Sequence, residues 1–200
     1  MSAKLPLDEL RREAEERLSG NRFAHTLRVE TESVRLADLH GLSAEDTELL
    51  RAAALLHDIT KELSAEDHLK LCKKWDILLD CESLSCPQIL HQFSGAGVAA
   101  REFPMPETVC AAIRTHTTGG TEMDTVARIL YLADLVEPGR SIASDPNICE
   151  VRFLAERDLC EACLVQMRRE IRRLQDMGRD VHPLTVAACA AMEEEHNGRS

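Results

Sequence analysis

Aromatic residues are scarce in this chain: one Trp, one Tyr and four Phe among 200 residues. Strands draw on aromatic and β-branched side chains. Their scarcity, beside abundant Ala, Leu, Glu and Arg, points to an all-α fold. No apolar run approaches a membrane span, and no apolar signal region follows Met1. The eight cysteines are scattered without a dense disulfide framework. Together these absences lead to the expectation of a cytoplasmic protein with free thiols. Basic residues are outnumbered, 24 against 35 acidic, for a net charge of -11. An acidic body repels a phosphate backbone, which argues against an extended nucleic-acid partner or a membrane surface. A local cationic pocket remains compatible with it. Low-complexity segments and internal repeats are also missing.

What is present suits a folded helical chain, with 44% hydrophobic and 30% charged residues. Leu7 to Leu18 reads as a first helix with Pro6 near its start. A second runs from Asn21 to His40-Gly41, where glycine suits the left-handed cap. Ser43 with Asp46 and Ser64 with Asp67 resemble capping boxes, opening helices that end near His57 and Trp75. Residues 76–93 read as loop with a short helix. Gly95 and Gly97 read as preceding a helix that ends by Pro104. Further helices are expected over Glu107–His116 and Asp124–Leu135. Pro138-Gly139 and Asp145-Pro146 punctuate a loop. A long helix follows from Ile148 to Met177, offering a surface for a possible homodimer. After the turn Gly178 to Pro183, a last helix spans Leu184 to Glu195. No linker divides the chain, so it reads as one compact domain, an N-terminal helix over 1–20 preceding a body over 21–196.

Chemistry is suggested where polar residues interrupt apolar helices. His57-Asp58 closes the run Ala52, Ala53, Ala54, Leu55, Leu56. Asp134 closes Ile129 to Ala133. His25 sits between Phe23 and Leu27, His91 follows Ile89-Leu90, and His116 ends the helix through Val109 and Ile113. A single histidine at a helix end reads more simply as a cap or a satisfied core residue. Several helices each offering nitrogen or oxygen ligands make a set. A carboxylate at such a position is costly unless a cation compensates it. Imidazole plus carboxylate without thiolate suits Fe, Mn, Zn or Co. Arg22 lies three residues before His25, Lys61 three after Asp58, and Arg140 six after Asp134, cations that suit a phosphate substrate. Arg28 reads better as half of an ion pair. Cys160 and Cys163 lack the further ligands that a zinc site requires. Gly95-Ala96-Gly97 suits close helix packing as well as anion binding. His68 and His196 read as surface residues, Met167 and Met177 as core.

The order His25, His57-Asp58, Asp134 resembles the HD superfamily of metal-dependent phosphohydrolases, and within it the symmetrical diadenosine tetraphosphate hydrolases. The matching stretches are Arg22 to Val29, Ala53 to Lys61, Ile113 to Gly119, Ile129 to Arg140 and Gly178 to Pro183. Together they cover the chain from about Asn21 to Ala188. The family usually has Gly-Pro where this chain has Gln92-Phe93.

The resemblance implies a single helical HD-domain bundle. It implies that His25, His57, Asp58 and Asp134 hold a principal metal. His91 and His116 would hold a second metal or touch the phosphates. Arg22, Asp58, Ile59, Thr60, Lys61, His91, His116 and Arg140 would line the nucleotide site, with the turn Gly178, Arg179, Asp180, Val181, His182 and Pro183. The cofactor would be one or two divalent or iron ions, with Fe or Mn favoured and Zn, Co or Mg compatible. The implied reaction is symmetrical hydrolysis of a dinucleoside polyphosphate. Asp58 would bridge the metals, Lys61 would neutralise phosphate charge, and His91 and His116 would bind metal or phosphate. The alternatives are an HD hydrolase of another nucleotide or a nucleotide-binding regulatory module.

Overall fold

Capping residues set most of the element boundaries. In the computed structural model, which describes residues 6–140 and 148–199, Ser43 Oγ accepts from Asp46 N at 3.0 Å and Ser64 Oγ from Asp67 N at 3.1 Å. These serines open α3 (Ala44–Leu56) and α4 (Ala65–Lys74). Before them come α1 (Leu7–Arg17) and α2 (Gly20–Leu39). The second ends at Gly41, whose φ of 67° lets Leu42 N reach Ala37 O at 3.0 Å. After α4 come α5 (Cys81–Leu84), a 3-10 turn at Pro87–Ile89, α6 (Leu90–Arg101), α7 (Glu107–Thr115) and α8 (Thr125–Val136). The described chain finishes with α9 (Ile148–Ala155), α10 (Leu159–Asp176) and α11 (Pro183–Gly198). No strand occurs among the described residues. No helix among them is long and apolar enough to cross a membrane.

The core forms where α3 packs against α2, α7 and α8. Leu50, Leu55 and Leu56 of α3 and Ile129, Leu130 and Leu132 of α8 are fully enclosed. Each such side chain contributes about 1.5–3 kcal/mol of burial free energy. Ala52, Ala53 and Ala54 carry only methyl groups at the same level, so neighbouring helices approach α3 closely near its C-terminal end. Outside this centre, α1 packs on α3, α4 on α6, and α10 on α8, α9 and α11.

Several local expectations are corrected. Gly95 and Gly97 lie inside α6, not before it. A Cβ on Gly97 would stand 2.6 Å from Ile77 Cδ1 and 2.7 Å from the Trp75 ring, so the glycine permits close packing. The expected long helix from Ile148 to Met177 is two helices. Asp158 takes an extended conformation and its carboxylate accepts from Cys160 N and Glu161 N, starting α10 afresh. The face expected to serve a homodimer is therefore divided. His68 is buried, with Nδ1 2.7 Å from Ser94 Oγ, and Met177 is exposed. The turn signal at Asp145-Pro146 lies outside the described residues.

Candidate metal centre

The cluster is assembled from the ends of helices. His57 directly follows α3, and Asp58 begins the turn beyond it. His116 caps the C-terminus of α7, and Asp134 sits in the last turn of α8. His91 is the second residue of α6, and His25 lies on α2. Because α3 contacts α2, α7 and α8 at once, and α6 packs on α7, residues from 25 to 134 meet in one place. His25, His57, Asp58, His91 and His116 are all buried, while Asp134 keeps 18% of its side chain exposed.

Asp58 is the centre of this arrangement. Its Oδ2 lies 3.5 Å from His57 Nε2 and 4.0 Å from His25 Nε2. Its Oδ1 lies 3.6 Å from His91 Nε2 and 3.7 Å from His116 Nε2. The two oxygens thus face different pairs of imidazoles. Two sets of donor atoms result, His25–His57–Asp58 and Asp58–His91–His116, each with its atoms within 4.8 Å of one another. Asp134 adds an oxygen 2.9 Å from His25 Nε2.

Hydrogen bonds at the far side of two rings, His57 and His116, fix their tautomers. A carbonyl only accepts, so the imidazole nitrogen facing it must carry the proton. His57 Nδ1 donates to Ala54 O at 2.7 Å, and His116 Nδ1 to Ile113 O at 2.7 Å. His25 Nδ1 lies 3.1 Å from Glu137 Oε1. The neutral rings of His57 and His116 then turn their Nε2 lone pairs toward Asp58. The Nε2 atoms of His25 and His57 are buried without a hydrogen-bond partner. His25 Nε2 is near Asp134 in distance but not aligned with it as a hydrogen bond. Orphaned, converging lone pairs beside two carboxylates fit a divalent or iron ion held by nitrogen and oxygen.

Burial alone would push the Asp58 carboxyl up, but His57 and His116 hold it well below the usual range. Asp134 is likewise raised by burial and more strongly lowered by the facing His25 imidazole and the charge of His57. For His57, burial favours the neutral ring, yet the neighbouring Asp58 carboxylate leaves its pKa raised. His91 is driven well below the ordinary histidine value by burial, then by His116 and Lys61.

Cations surround the cluster. Arg22 Nη1 donates to Asp58 Oδ2 at 2.9 Å, and Arg140 Nη2 to Asp134 Oδ1 at 3.1 Å. Lys61 Nζ donates to His91 Nε2 at 2.9 Å and lies 3.9 Å from Asp58 Oδ1. Burial lowers the Lys61 pKa against the opposing pull of Asp58. Of the neighbouring residues, Ile59 is buried and Thr60 Oγ1 donates to His91 O at 3.2 Å. The turn Gly178 to Pro183 makes a side-chain contact with α5. Gly178, Arg179 and Asp180 are exposed, and His182 Nε2 lies 3.4 Å from Ser83 Oγ on α5.

Sequence reasoning missed Glu137 although Arg28 was read as half of an ion pair. Its partner is Glu137, at 2.6 Å from Arg28 Nε. Its spacing, three residues after Asp134 on the same helical side as that carboxylate, was the available signal.

The HD domain family model matches residues 22–139, the segment that carries all six clustered residues. The symmetrical bis(5'-nucleosyl)-tetraphosphatase of Bacillus subtilis is 30% identical over 174 residues, covering 85% of this chain and 88% of that protein. The protein of the same name from Halalkalibacterium halodurans is 31% identical over 175 residues, with 85% and 88% covered. A crystal structure from Clostridium acetobutylicum, described as a predicted HD superfamily hydrolase involved in NAD metabolism, superposes with a TM-score of 0.88. It is 29% identical and covers 96% of this chain and 100% of its own.

Proposed function

The chain belongs to the HD-domain family of phosphohydrolases, and from that premise we propose that it hydrolyses diadenosine tetraphosphate symmetrically, yielding two ADP. The observation that carries this reading is the division of Asp58, one oxygen toward His25 and His57, the other toward His91 and His116. A single carboxylate so placed would contribute to both donor sets. The relatives named for symmetrical hydrolysis supply the choice of substrate.

His25, His57, Asp58 and Asp134 would hold a principal ion, and Asp58, His91 and His116 a second. Iron or manganese is favoured, and zinc, cobalt or magnesium is compatible with the donors. Bound there, such ions supply Lewis-acid charge and make water a nucleophile at neutral pH. The chain's own residues do the rest. Lys61, Arg22 and Arg140 ring the carboxylates and would offer N–H donors to the anionic phosphate oxygens. His91 and His116, two ring nitrogens 3.1 Å apart, would bind the second ion or, with one ion present, hydrogen-bond a phosphate. In the overall reaction water adds to one of the two central phosphorus atoms. The P–O bond of the central bridge breaks, and each half departs as ADP.

Chromatographic analysis of the products tests this reading, with Mn or Fe added or omitted and an Asp58→Ala control. ADP as sole product, lost in the control, is expected. AMP with ATP would keep the metal centre and overturn the bond assigned. Absence of product with every metal would replace the substrate or favour a regulatory role.

A further inference from the structure

Glu137 is not among the six clustered residues, yet its carboxylate is one of the most enclosed groups beside them, at 1% exposure. It caps α8 just beyond Asp134, and both oxygens are engaged. Oε1 lies 3.1 Å from His25 Nδ1 and accepts from Arg28 Nη2 at 3.3 Å. Oε2 accepts from Arg28 Nε at 2.6 Å and Gly139 N at 2.5 Å. The backbone is held as firmly, because Arg152 donates to Val136 O at 2.9 Å and to Glu137 O at 3.0 Å. Gly139 leaves room for this packing, since a Cβ there would stand 2.4 Å from Arg28 Nε.

His25 therefore lies between two carboxylates. Glu137 faces Nδ1, while Asp134 Oδ1 lies 2.9 Å from Nε2. A neutral imidazole has one proton, and whichever carboxylate receives it decides which nitrogen is the lone pair. Were the proton on Nε2, the ring would present no lone pair to the cluster. Glu137, fixed by a guanidinium and a backbone N–H, is the better prepared acceptor. Asp134 is partly exposed and also bonds Arg140.

We propose that Glu137 is a positioning residue for the metal centre. It holds the His25 proton on Nδ1 and so presents the Nε2 lone pair to the ion. This rests on the reading of His25 as a ligand. An acceptor behind a ligating imidazole also raises its basicity, and loss of such partners weakens metal binding about 10–100-fold.

The test uses metal-free full-length protein in two measurements: the His25 tautomer by imidazole 15N NMR, and Mn2+ affinity by calorimetry. Wild type is expected to carry the proton on Nδ1. Glu137→Ala is expected to move it to Nε2 and weaken Mn2+ binding about 10–100-fold. Glu137→Gln, which keeps an amide oxygen as acceptor, is expected to retain the tautomer and most of the affinity. A wild-type proton on Nε2 overturns the proposal without any variant. So does a folded Glu137→Ala with unchanged tautomer and affinity, even if its melting temperature falls, since that describes a structural ion pair alone. Failure of wild type to bind Mn2+, Fe2+ or Zn2+ would instead overturn the metal-centre reading, while the tautomer still decides what Glu137 does to His25.

Discussion

Gln92 grips Thr118: its amide oxygen accepts from Thr118 N at 3.2 Å and its amide nitrogen donates to Thr118 Oγ1 at 3.1 Å. The side chain is fully buried and joins α6, beside His91, to the turn just past His116. Thr117 Oγ1 lies 3.0 Å from His91 Nε2 and 3.2 Å from His116 Nε2. The Gln92–Thr118 clamp therefore fixes the spacing of that imidazole pair. Gln92→Ala leaves the Thr118 N–H buried and unpaired, which costs about 1–3 kcal/mol. Urea unfolding checks the loss, and metal analysis should show weaker retention of a second ion.

Metal stoichiometry separates the two donor sets. His116→Ala touches only the set that includes His91, and His25→Ala only the set that includes His57. Wild type is expected to hold two ions, each of these variants one, and Asp58→Ala neither. Elemental mass spectrometry after gel filtration reads the count directly. Equal losses in both single variants down to none would describe one shared ion.

Metal affinity is expected to climb with pH. Asp58 raises the His57 pKa despite burial, so below that raised value a proton occupies the nitrogen that a cation needs. As pH rises through it the proton leaves, and competition ends. His91 works in the opposite sense, since burial, His116 and Lys61 keep it neutral well below the ordinary histidine range. Calorimetric Mn2+ titrations between pH 5.5 and 8, ranges ordinary for imidazole titration, should show proton release that shrinks as pH increases.

Gly97→Ala places a methyl group 2.6 Å from Ile77 Cδ1 and 2.7 Å from Trp75 Cε3. The neighbours must shift, with an expected loss of about 1–3 kcal/mol. Trp75 is the sole tryptophan, so its emission reports the displacement directly, and thermal unfolding gives the cost.

Thiol reactivity should follow burial. Cys163 is fully buried and desolvation pushes its pKa far up, and Cys160 is raised for the same reason. Cys81 and Cys149 are exposed. Iodoacetamide on native protein is expected to mark Cys81 and Cys149 and leave Cys160 and Cys163 unmodified. Peptide mass spectrometry identifies the sites.

The sequence made the helices legible where capping chemistry is local. Ser43 with Asp46 and Ser64 with Asp67 carry their boundary within four residues. It was less legible where tertiary packing overrides local preference. Gly95 and Gly97 read as preceding a helix, but the approach of Trp75 and Ile77 makes glycine suitable at position 97 inside α6. Asp158 was hidden in a strongly helical stretch, where one acid among many charged helix formers does not stand out as a cap. His68 looked superficial, and only its distant partner Ser94 explains its burial. The clustered residues stood out as polar groups interrupting apolar runs. Glu137 did not, since beside Pro138-Gly139 it reads as an ordinary loop acid.

The convergence of three helix ends has an electrostatic consequence of its own. His57, His116 and Glu137 cap the C-termini of α3, α7 and α8. Aligned peptide dipoles place about half an elementary negative charge at each such terminus. The backbone thus builds a cation-attracting potential before any side chain ionises. Neutralising one carboxylate by substitution would leave that field in place, so residual attraction for a cation belongs to the scaffold and not to the side chains alone.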